Sequence, residues 1–139
     1  MLHAYYRYRR DHDFICKQLP AVRLVLQFFN QFHQKDGILK NVPYWDFTDW
    51  VDDKGWYGGV APISGDGTSA ALDFQLLMAY DTAASREKQV GMQSFADIYA
   101  KSVAQLKQSD VANYWSCDRK MFSDTKEKSF YPQHANSLP

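Results

Sequence analysis

The spacing of apolar residues predicts a chain built mainly of helices. Residues 3–10 are expected to form a short helix, and a second helix runs over about 11–35. Pro20 lies inside the second helix. Because proline removes a backbone donor and crowds the preceding turn, we expect a kink or a break near Lys17.

Local signals mark the ends of the second helix. Asp11 or Asp13 can cap its start, because a carboxylate accepts hydrogen bonds from the free backbone N–H groups of the first turn. The pair Asp36-Gly37 is expected to end it, since glycine readily takes the left-handed conformation found at helix C-termini. The following residues, 38–42, are predicted to be a short extended piece.

Two further helices have different apolar patterns. A third helix is predicted to end at about Val90, capped by Thr68 or Ser69 and followed by Gly91, and a fourth covers about 92–109. The third is apolar on most faces, which predicts burial on several sides, whereas the fourth has one apolar stripe. An inner helix followed by an outer helix is typical of an α/α toroid or solenoid. We therefore predict an all-α fold of helical hairpins.

Three segments fall outside this helical pattern. A long glycine-rich loop lies between Pro43 and Gly67. A small β-hairpin is predicted around Cys117, and residues 132–139 have the pattern of an opening helix.

The loop begins with a run of aromatic and acidic residues at 44–50, Tyr-Trp-Asp-Phe-Thr-Asp-Trp. Apolar faces of a sugar stack on indole rings, and carboxylates accept hydrogen bonds from its hydroxyls or act as acid and base. The run therefore indicates a sugar site. The alternative is a buried aromatic cluster with aspartates in turns. Asp52 and Asp53, which follow, are expected to cap the glycine-rich turn.

Composition narrows the possible partners. Sixteen basic and sixteen acidic residues cancel to a formal net charge of zero. Nucleic acids and anionic membranes attract proteins with a surplus of Lys and Arg, so neither is expected as a partner. Cys16 and Cys117 are expected to be reduced and partly buried. No metal-ligand spacing occurs, and we expect neither a metal nor a cofactor.

Four segments together carry a resemblance to a known family: Asp36-Gly37-Ile38-Leu39, the run at 44–50, Phe122-Ser123-Asp124 and Gln133-His134-Ala135-Asn136. In this order they resemble bacterial α-L-rhamnosidases of glycoside hydrolase family 78, over about 11–138. The resemblance implies part of a six-hairpin (α/α)6 toroid and inverting hydrolysis of terminal α-L-rhamnose.

The same resemblance implies an incomplete active site. The family's general acid lies in an Asp-x-x-x-Arg-x-Glu-like motif before this region, and its general base is a glutamate after it. Neither motif is present, and Glu87 and Glu127 are the only glutamates. We therefore expect residues 1–139 to be a single partial domain, part of a longer catalytic domain and inactive alone.

By carry-over from the family, three residues are expected to line the sugar site. Trp50 would stack on the sugar and Asp49 would accept a hydroxyl hydrogen bond, with Trp45 as the next candidate. Trp45 could instead fill the core of the toroid. His134 and Asn136 are expected to be structural groups that bond loop backbone at a helix start.

Other functions remain open at this stage. The chain could be a complete small hydrolase that uses Asp46 and Asp49, or a non-catalytic carbohydrate-binding or helical interaction module. A partial toroid would expose apolar faces, so we also expect self-association through its inner helices, with the third helix at the contact.

Overall fold

Helices dominate the part of the chain that the computed structural model describes, residues 1–51 and 55–137. The elements in chain order are α1 (Leu2–Arg9), α2 (His12–Asn30), α3 (Ala70–Val90), α4 (Gln93–Tyr114), β1 (Trp115–Ser116), β2 (Met121–Phe122) and α5 (Gln133–Ser137). The all-α prediction is confirmed, and the small hairpin is present as an antiparallel pair, with Trp115 opposite Phe122.

Local capping chemistry sets several helix ends. The Asp11 carboxylate accepts a hydrogen bond from the backbone N–H of Phe14 at 3.0 Å and starts α2. Ser69 Oγ accepts one from the backbone N–H of Leu72 at 3.4 Å and starts α3. α3 ends immediately before Gly91, as the sequence predicts.

The course of α2 differs from the prediction in two ways. The helix continues through Pro20 without a break, and it ends at Asn30, earlier than residue 35. Beyond it the chain folds back, so that His33 pairs with Leu39. Gly37, with φ of 89°, therefore lies in that reversal and does not terminate the helix.

α3 is the most deeply buried helix and packs closely against α4. The main core cluster joins α2, α3 and α4 through Leu26, Leu76, Tyr80, Tyr99 and Leu106. α3 is buried on several sides, whereas α4 exposes one face, as predicted. α4 runs to Tyr114, beyond the predicted end at residue 109, because Tyr114 is itself a fully buried core residue.

An ion pair ties α2 to the last turn of α3. The Arg23 guanidinium donates to both carboxylate oxygens of Glu87, at 2.7 and 2.8 Å. Glu87 is buried and also accepts a hydrogen bond from the backbone N–H of Met92 at 2.9 Å. The arginine lies 4.2 Å from the ring centroid of Phe95, so one side chain joins three helices.

Two carboxyl groups are buried between α3 and α4. Asp73 accepts hydrogen bonds from the backbone N–H of Leu39 at 2.9 Å and from the Tyr114 hydroxyl at 2.8 Å. Among the described residues, neither side-chain oxygen of Asp110 has a hydrogen-bond partner. Burial raises the pKa of Asp73 to about 7, and burial together with repulsion from Asp73 and Asp36 raises the pKa of Asp110 to about 8.

Asn136 fixes α5 against the hairpin. Its side-chain oxygen accepts a hydrogen bond from the backbone N–H of Phe122 at 2.7 Å, and its amide donates to the Phe122 carbonyl at 2.9 Å. The structural role expected for Asn136 is therefore confirmed. α5 is held in a position from which His134 reaches the aromatic loop.

Both cysteines are free thiols. Cys16 and Cys117 are exposed, so the expected partial burial is wrong. In residues 1–51 and 55–137, no helix is long and apolar enough to cross a membrane.

Candidate functional site

The aromatic loop rests on the backbone of Gly59. The carbonyl of Gly59 accepts hydrogen bonds from the backbone N–H groups of Thr48 at 2.7 Å and Asp49 at 3.2 Å. Phe47 also pairs with Val60 across an antiparallel bridge. Gly59 has φ of 77°, and a side chain there would collide with the Phe47 ring. Only glycine fits this position without strain, so it fixes the course of the loop.

Three aromatic side chains form one cluster on this loop, here called the aromatic platform: Trp45, Phe47 and Trp50. The ring centroids lie 5.0 Å apart for Trp45 and Phe47, 4.9 Å for Phe47 and Trp50, and 6.0 Å for the two tryptophans. Trp45 is 62% exposed and Trp50 is 78% exposed. Both tryptophans are therefore accessible to a ligand in the described part of the chain, and the alternative that Trp45 fills the core of a toroid stays a prediction.

Asp49 is held in place from two sides. Its Oδ1 accepts a hydrogen bond from the backbone N–H of Trp50 at 2.7 Å. Its Oδ2 lies 2.9 Å from Nε2 of His134, which donates when that nitrogen carries the proton. The ring of His134 packs against buried Trp56, with centroids 5.6 Å apart. The carboxylate beside the platform is thus oriented by a histidine that is itself supported by packing.

The contact between His134 and Asp49 corrects one expectation. His134 was expected to bond loop backbone, and instead its ring meets a carboxylate 85 residues earlier in the chain. Neither residue carries a local signal for this contact, since it depends on how α5 docks against the rest of the fold. In the sequence, only the joint presence of the run at 44–50 and the Gln-His-x-Asn motif points to this contact.

The two carboxylates of the loop have different surroundings. Asp46 is partly buried, and burial raises its pKa although a hydrogen bond with Ser69 opposes the shift. Asp49 is partly exposed and paired with His134. The carboxyl group of Asp46 therefore lies on the inner side of the loop, whereas the carboxylate of Asp49 lies beside the aromatic platform.

Both glutamates are occupied elsewhere in the fold. Glu87 is buried in its ion pair with Arg23. Glu127 Oε1 accepts a hydrogen bond from the backbone N–H of Gly65 at 3.0 Å. Asp52 and Asp53 lie outside the described residues. Within the described residues, no group of three or more His, Cys, Asp or Glu side chains could hold a metal ion.

Comparison with known proteins identifies a similar fold. No family model matches the chain, and no curated protein matches it in sequence. Among solved structures, the crystal structure of a GH78 family rhamnosidase of Bacillus sp. GL1 is similar, with a TM-score of 0.71 and 18% sequence identity. The alignment covers 91% of this chain and 12% of the rhamnosidase chain. The chain thus has the helical-hairpin fold of a segment of that enzyme.

Proposed function

We propose that this chain forms part of the sugar cleft of an inverting α-L-rhamnosidase-like glycoside hydrolase that removes terminal α-L-rhamnose from glycans or glycosides. The observation that carries the proposal is the exposed aromatic platform beside the Asp49–His134 pair. The similarity in fold to a GH78 rhamnosidase supports it. Because the alignment covers only 12% of that enzyme's chain, the proposal is limited to a part of the cleft.

Each platform residue has a role that follows from its chemistry. Trp50 stacks on the C–H face of the sugar, and rhamnose adds a methyl group that favours an apolar surface. Trp45 borders the same space, because its ring lies 6.0 Å from that of Trp50. Asp49 accepts a hydrogen bond from a sugar hydroxyl, and His134 keeps the carboxylate turned toward it.

Catalysis requires two more groups. An inverting glycosidase places two carboxyl groups roughly 6.5–9.5 Å apart, one to protonate the leaving oxygen and one to activate water. Glu87 and Glu127 are engaged in structural contacts, which agrees with an acid and a base that lie outside these residues. The chain alone is therefore expected to bind rhamnose without hydrolysing its glycosides.

Binding of L-rhamnose to the purified chain tests the proposed cleft. We expect titration calorimetry or tryptophan fluorescence to detect binding, and Trp50→Ala to weaken it at least about tenfold, equivalent to about 1.4 kcal/mol. Tyr8→Ala is the matched control, since Tyr8 is 88% exposed and lies on α1. Equal affinities for the two variants at unchanged melting temperatures would contradict the proposal.

A turnover assay separates the proposal from its alternatives. We expect no release of 4-nitrophenol from 4-nitrophenyl α-L-rhamnoside by the folded chain. Turnover that Asp46→Asn or Asp49→Asn abolishes would identify a complete small hydrolase instead. Rhamnose binding without turnover in a longer natural protein that contains this chain would identify a non-catalytic binding module.

A further inference from the structure

Arg86 is a buried cation near the end of α3. The residue is 7% exposed. Within residues 1–51 and 55–137, its Nε and Nη1 atoms are buried without a hydrogen-bond partner, whereas Nη2 donates to Ser85 Oγ at 3.1 Å. Arginine is rarely buried unless it is paired, because a charge loses its hydration on burial. Arg86 therefore lacks the anion that a buried guanidinium normally contacts.

Neighbouring carboxylates of the chain do not supply this anion. Glu87, the next residue, is paired with Arg23 at 2.7 and 2.8 Å. The exposed carboxylate nearest in charge effect is Asp81, also on α3. Among the described residues, none of the ion pairs includes Arg86. An anion for this guanidinium therefore has to come from outside the described chain.

The surroundings of Arg86 favour an anion. Burial lowers the pKa of the His3 imidazole, and the positive charges of Arg86 and Arg7 lower it further, against a smaller opposing effect of Asp81. Nδ1 of His3 is also buried without a partner among the described residues. An anion beside Arg86 would therefore be attracted by a second guanidinium and would give the imidazole a reason to hold its proton.

Helix α1 covers the guanidinium. The Cζ atom of Arg86 lies 4.5 Å from the ring centroid of Tyr6, a cation–π contact. The Tyr6 hydroxyl lies 3.1 Å from Nε2 of His12. No residue of α1 is buried, and the helix ends at Arg10, which has φ of 50°. α1 is therefore a cover held by few contacts and joined to α2 by a short connection.

We propose that Arg86 is the centre of a phosphate-binding site that opens when α1 moves away from α3. The planar guanidinium donates to two phosphate oxygens at once. Phosphate is favoured over a carboxylate because a phosphate monoester carries roughly 1.5 to 2 negative charges at pH 7, which suits a site with two arginines. The ligand is inorganic phosphate or a phosphate monoester.

The phosphate site is remote from the aromatic platform. Arg86 lies near the end of α3, whereas Ser69 caps its start and forms a hydrogen bond with Asp46 of the aromatic loop. The helix between Ser69 and Arg86 spans roughly 25 Å at about 1.5 Å per residue. The site is therefore independent of the proposed sugar cleft, and substitution of Arg86 should leave the affinity for L-rhamnose unchanged.

Titration calorimetry with inorganic phosphate at constant ionic strength tests the site. We expect saturable binding, and Arg86→Met should weaken it at least about tenfold, because two charge-assisted hydrogen bonds are lost. Lys88→Met is the matched control, since Lys88 is an exposed cation in the last turn of α3. Loss of affinity only in the Arg86 variant supports the proposal. Equal affinities in both variants, or no saturable binding by the unaltered chain, overturn it.

Melting curves and a second variant guard against a loss of folding. Phosphate should raise the melting temperature of the unaltered chain and leave that of Arg86→Met unchanged, because a ligand stabilises only a protein that binds it. Arg86→Lys replaces the methionine variant if that variant does not fold. Lysine keeps the charge without the planar fork, so phosphate should bind several-fold more weakly. An unchanged affinity in the lysine variant would overturn the two-oxygen contact.

The role of α1 as a cover has its own test. Tyr6→Ala removes the ring that lies over the guanidinium and should tighten phosphate binding several-fold, because the open state becomes more populated. Tyr8→Ala on the same helix should leave the affinity unchanged, since Tyr8 is 88% exposed. Equal affinities in the two variants would overturn the role of α1.

Acetate tests the choice of anion. Inorganic phosphate and methyl phosphate should both bind more tightly than acetate at the same ionic strength, and the tighter of the two identifies the free ion or a monoester as the preferred ligand. Acetate binding that depends on Arg86 and is at least as tight as phosphate binding would overturn phosphate in favour of a carboxylate.

Discussion

Gly59 supports the aromatic platform through its lack of a side chain. We predict that Gly59→Ala displaces the loop, because the added methyl group collides with the Phe47 ring and crowds the Asp49 carbonyl. Rhamnose affinity should fall at least about tenfold and the melting temperature by a few degrees. Gly58→Ala is the control: Gly58 also has positive φ, 62°, but a Cβ there meets nothing within 4 Å. Equal losses in both variants would assign the effect to backbone strain alone.

His134 positions Asp49 from the far end of the chain. We predict that His134→Leu weakens rhamnose binding roughly three- to tenfold, because the carboxylate loses the hydrogen bond that orients it. His134→Gln, which keeps a donor, should recover part of the affinity. A titration of both variants beside melting curves checks this, and an unchanged affinity in the leucine variant would remove His134 from the site.

At this scale the sequence predicts which candidate residues share one loop better than it predicts their contacts with the rest of the fold. Asp49, Trp50 and Trp45 lie within six positions of each other in the sequence, so they share one loop. His134 is 85 positions from Asp49, and its partner depends on the docking of α5. Burial is also hard to predict, since large aromatic side chains are usually well buried and Trp45 is 62% exposed.

The ion pair between Arg23 and Glu87 connects α2 with α3, and its contacts reach α4. We predict that Arg23→Met lowers the free energy of unfolding by about 2–4 kcal/mol, because it leaves a buried carboxylate without its partner. Lys126→Met is the control: its ion pair with Asp66 is exposed, and the loss should stay below about 1 kcal/mol. Urea denaturation measures both. Equal losses would mean that the buried pair contributes no more than the exposed one.

Buried carboxyl groups between α3 and α4 make stability depend on pH. The unfolded pKa of an aspartate is about 3.9, whereas the folded values are about 7 for Asp73 and about 8 for Asp110. The folded state therefore keeps protons that the unfolded state has lost. The stabilisation is complete below about pH 4 and is lost as pH rises through about 8.

We predict that Asp110→Asn removes much of this dependence. At pH 8 the melting temperature should rise by roughly 3–8 °C, and near pH 4 it should change little, because both forms are then neutral. Asp97→Asn on the exposed face of α4 serves as the control. A gain of the same size at both pH values would contradict titration of Asp110 as the cause.

The sequence predicts elements well where their ends are capped locally. Ser69 and Gly91 directly flank the two ends of α3, and both predicted ends are confirmed. The end of α2 is set instead by the pairing of His33 with Leu39, which requires the following residues to fold back. Pro20 does not break the helix, and buried Leu19 and Leu26 anchor α2 on either side of it.

At the scale of the whole molecule, self-association stays a prediction, and the structure suggests where to test it. α3, the helix expected at the contact from the sequence, is largely enclosed by the chain itself, whereas α2 exposes Leu24 and Val25, so we now expect α2 at the contact. We predict a concentration-dependent dimer in sedimentation experiments, because exposed apolar faces associate. Leu24→Lys should weaken it, and Met78→Lys on α3 should not. A monomer at all concentrations would contradict this prediction.

The overall architecture follows from helix periodicity, which explains why the hairpin fold could be predicted. The cleft lined by Trp45, Val42, Ile63 and Leu72 could not be predicted, because Val42 and Ile63 are distant positions of the loop between α2 and α3 that meet Leu72 on α3. Periodicity reports which face of one element is apolar, but it does not report the space left between elements. Such spaces depend on tertiary packing.

The contact between Asp49 and His134 has a consequence for folding kinetics. It closes a chain segment of 85 residues, whereas α3 and α4 are neighbours in sequence. Contacts between distant residues form more slowly, because the chain loses more entropy when it brings them together. In refolding experiments, helical ellipticity should therefore appear first, and the capacity to bind rhamnose should follow as the last step to mature.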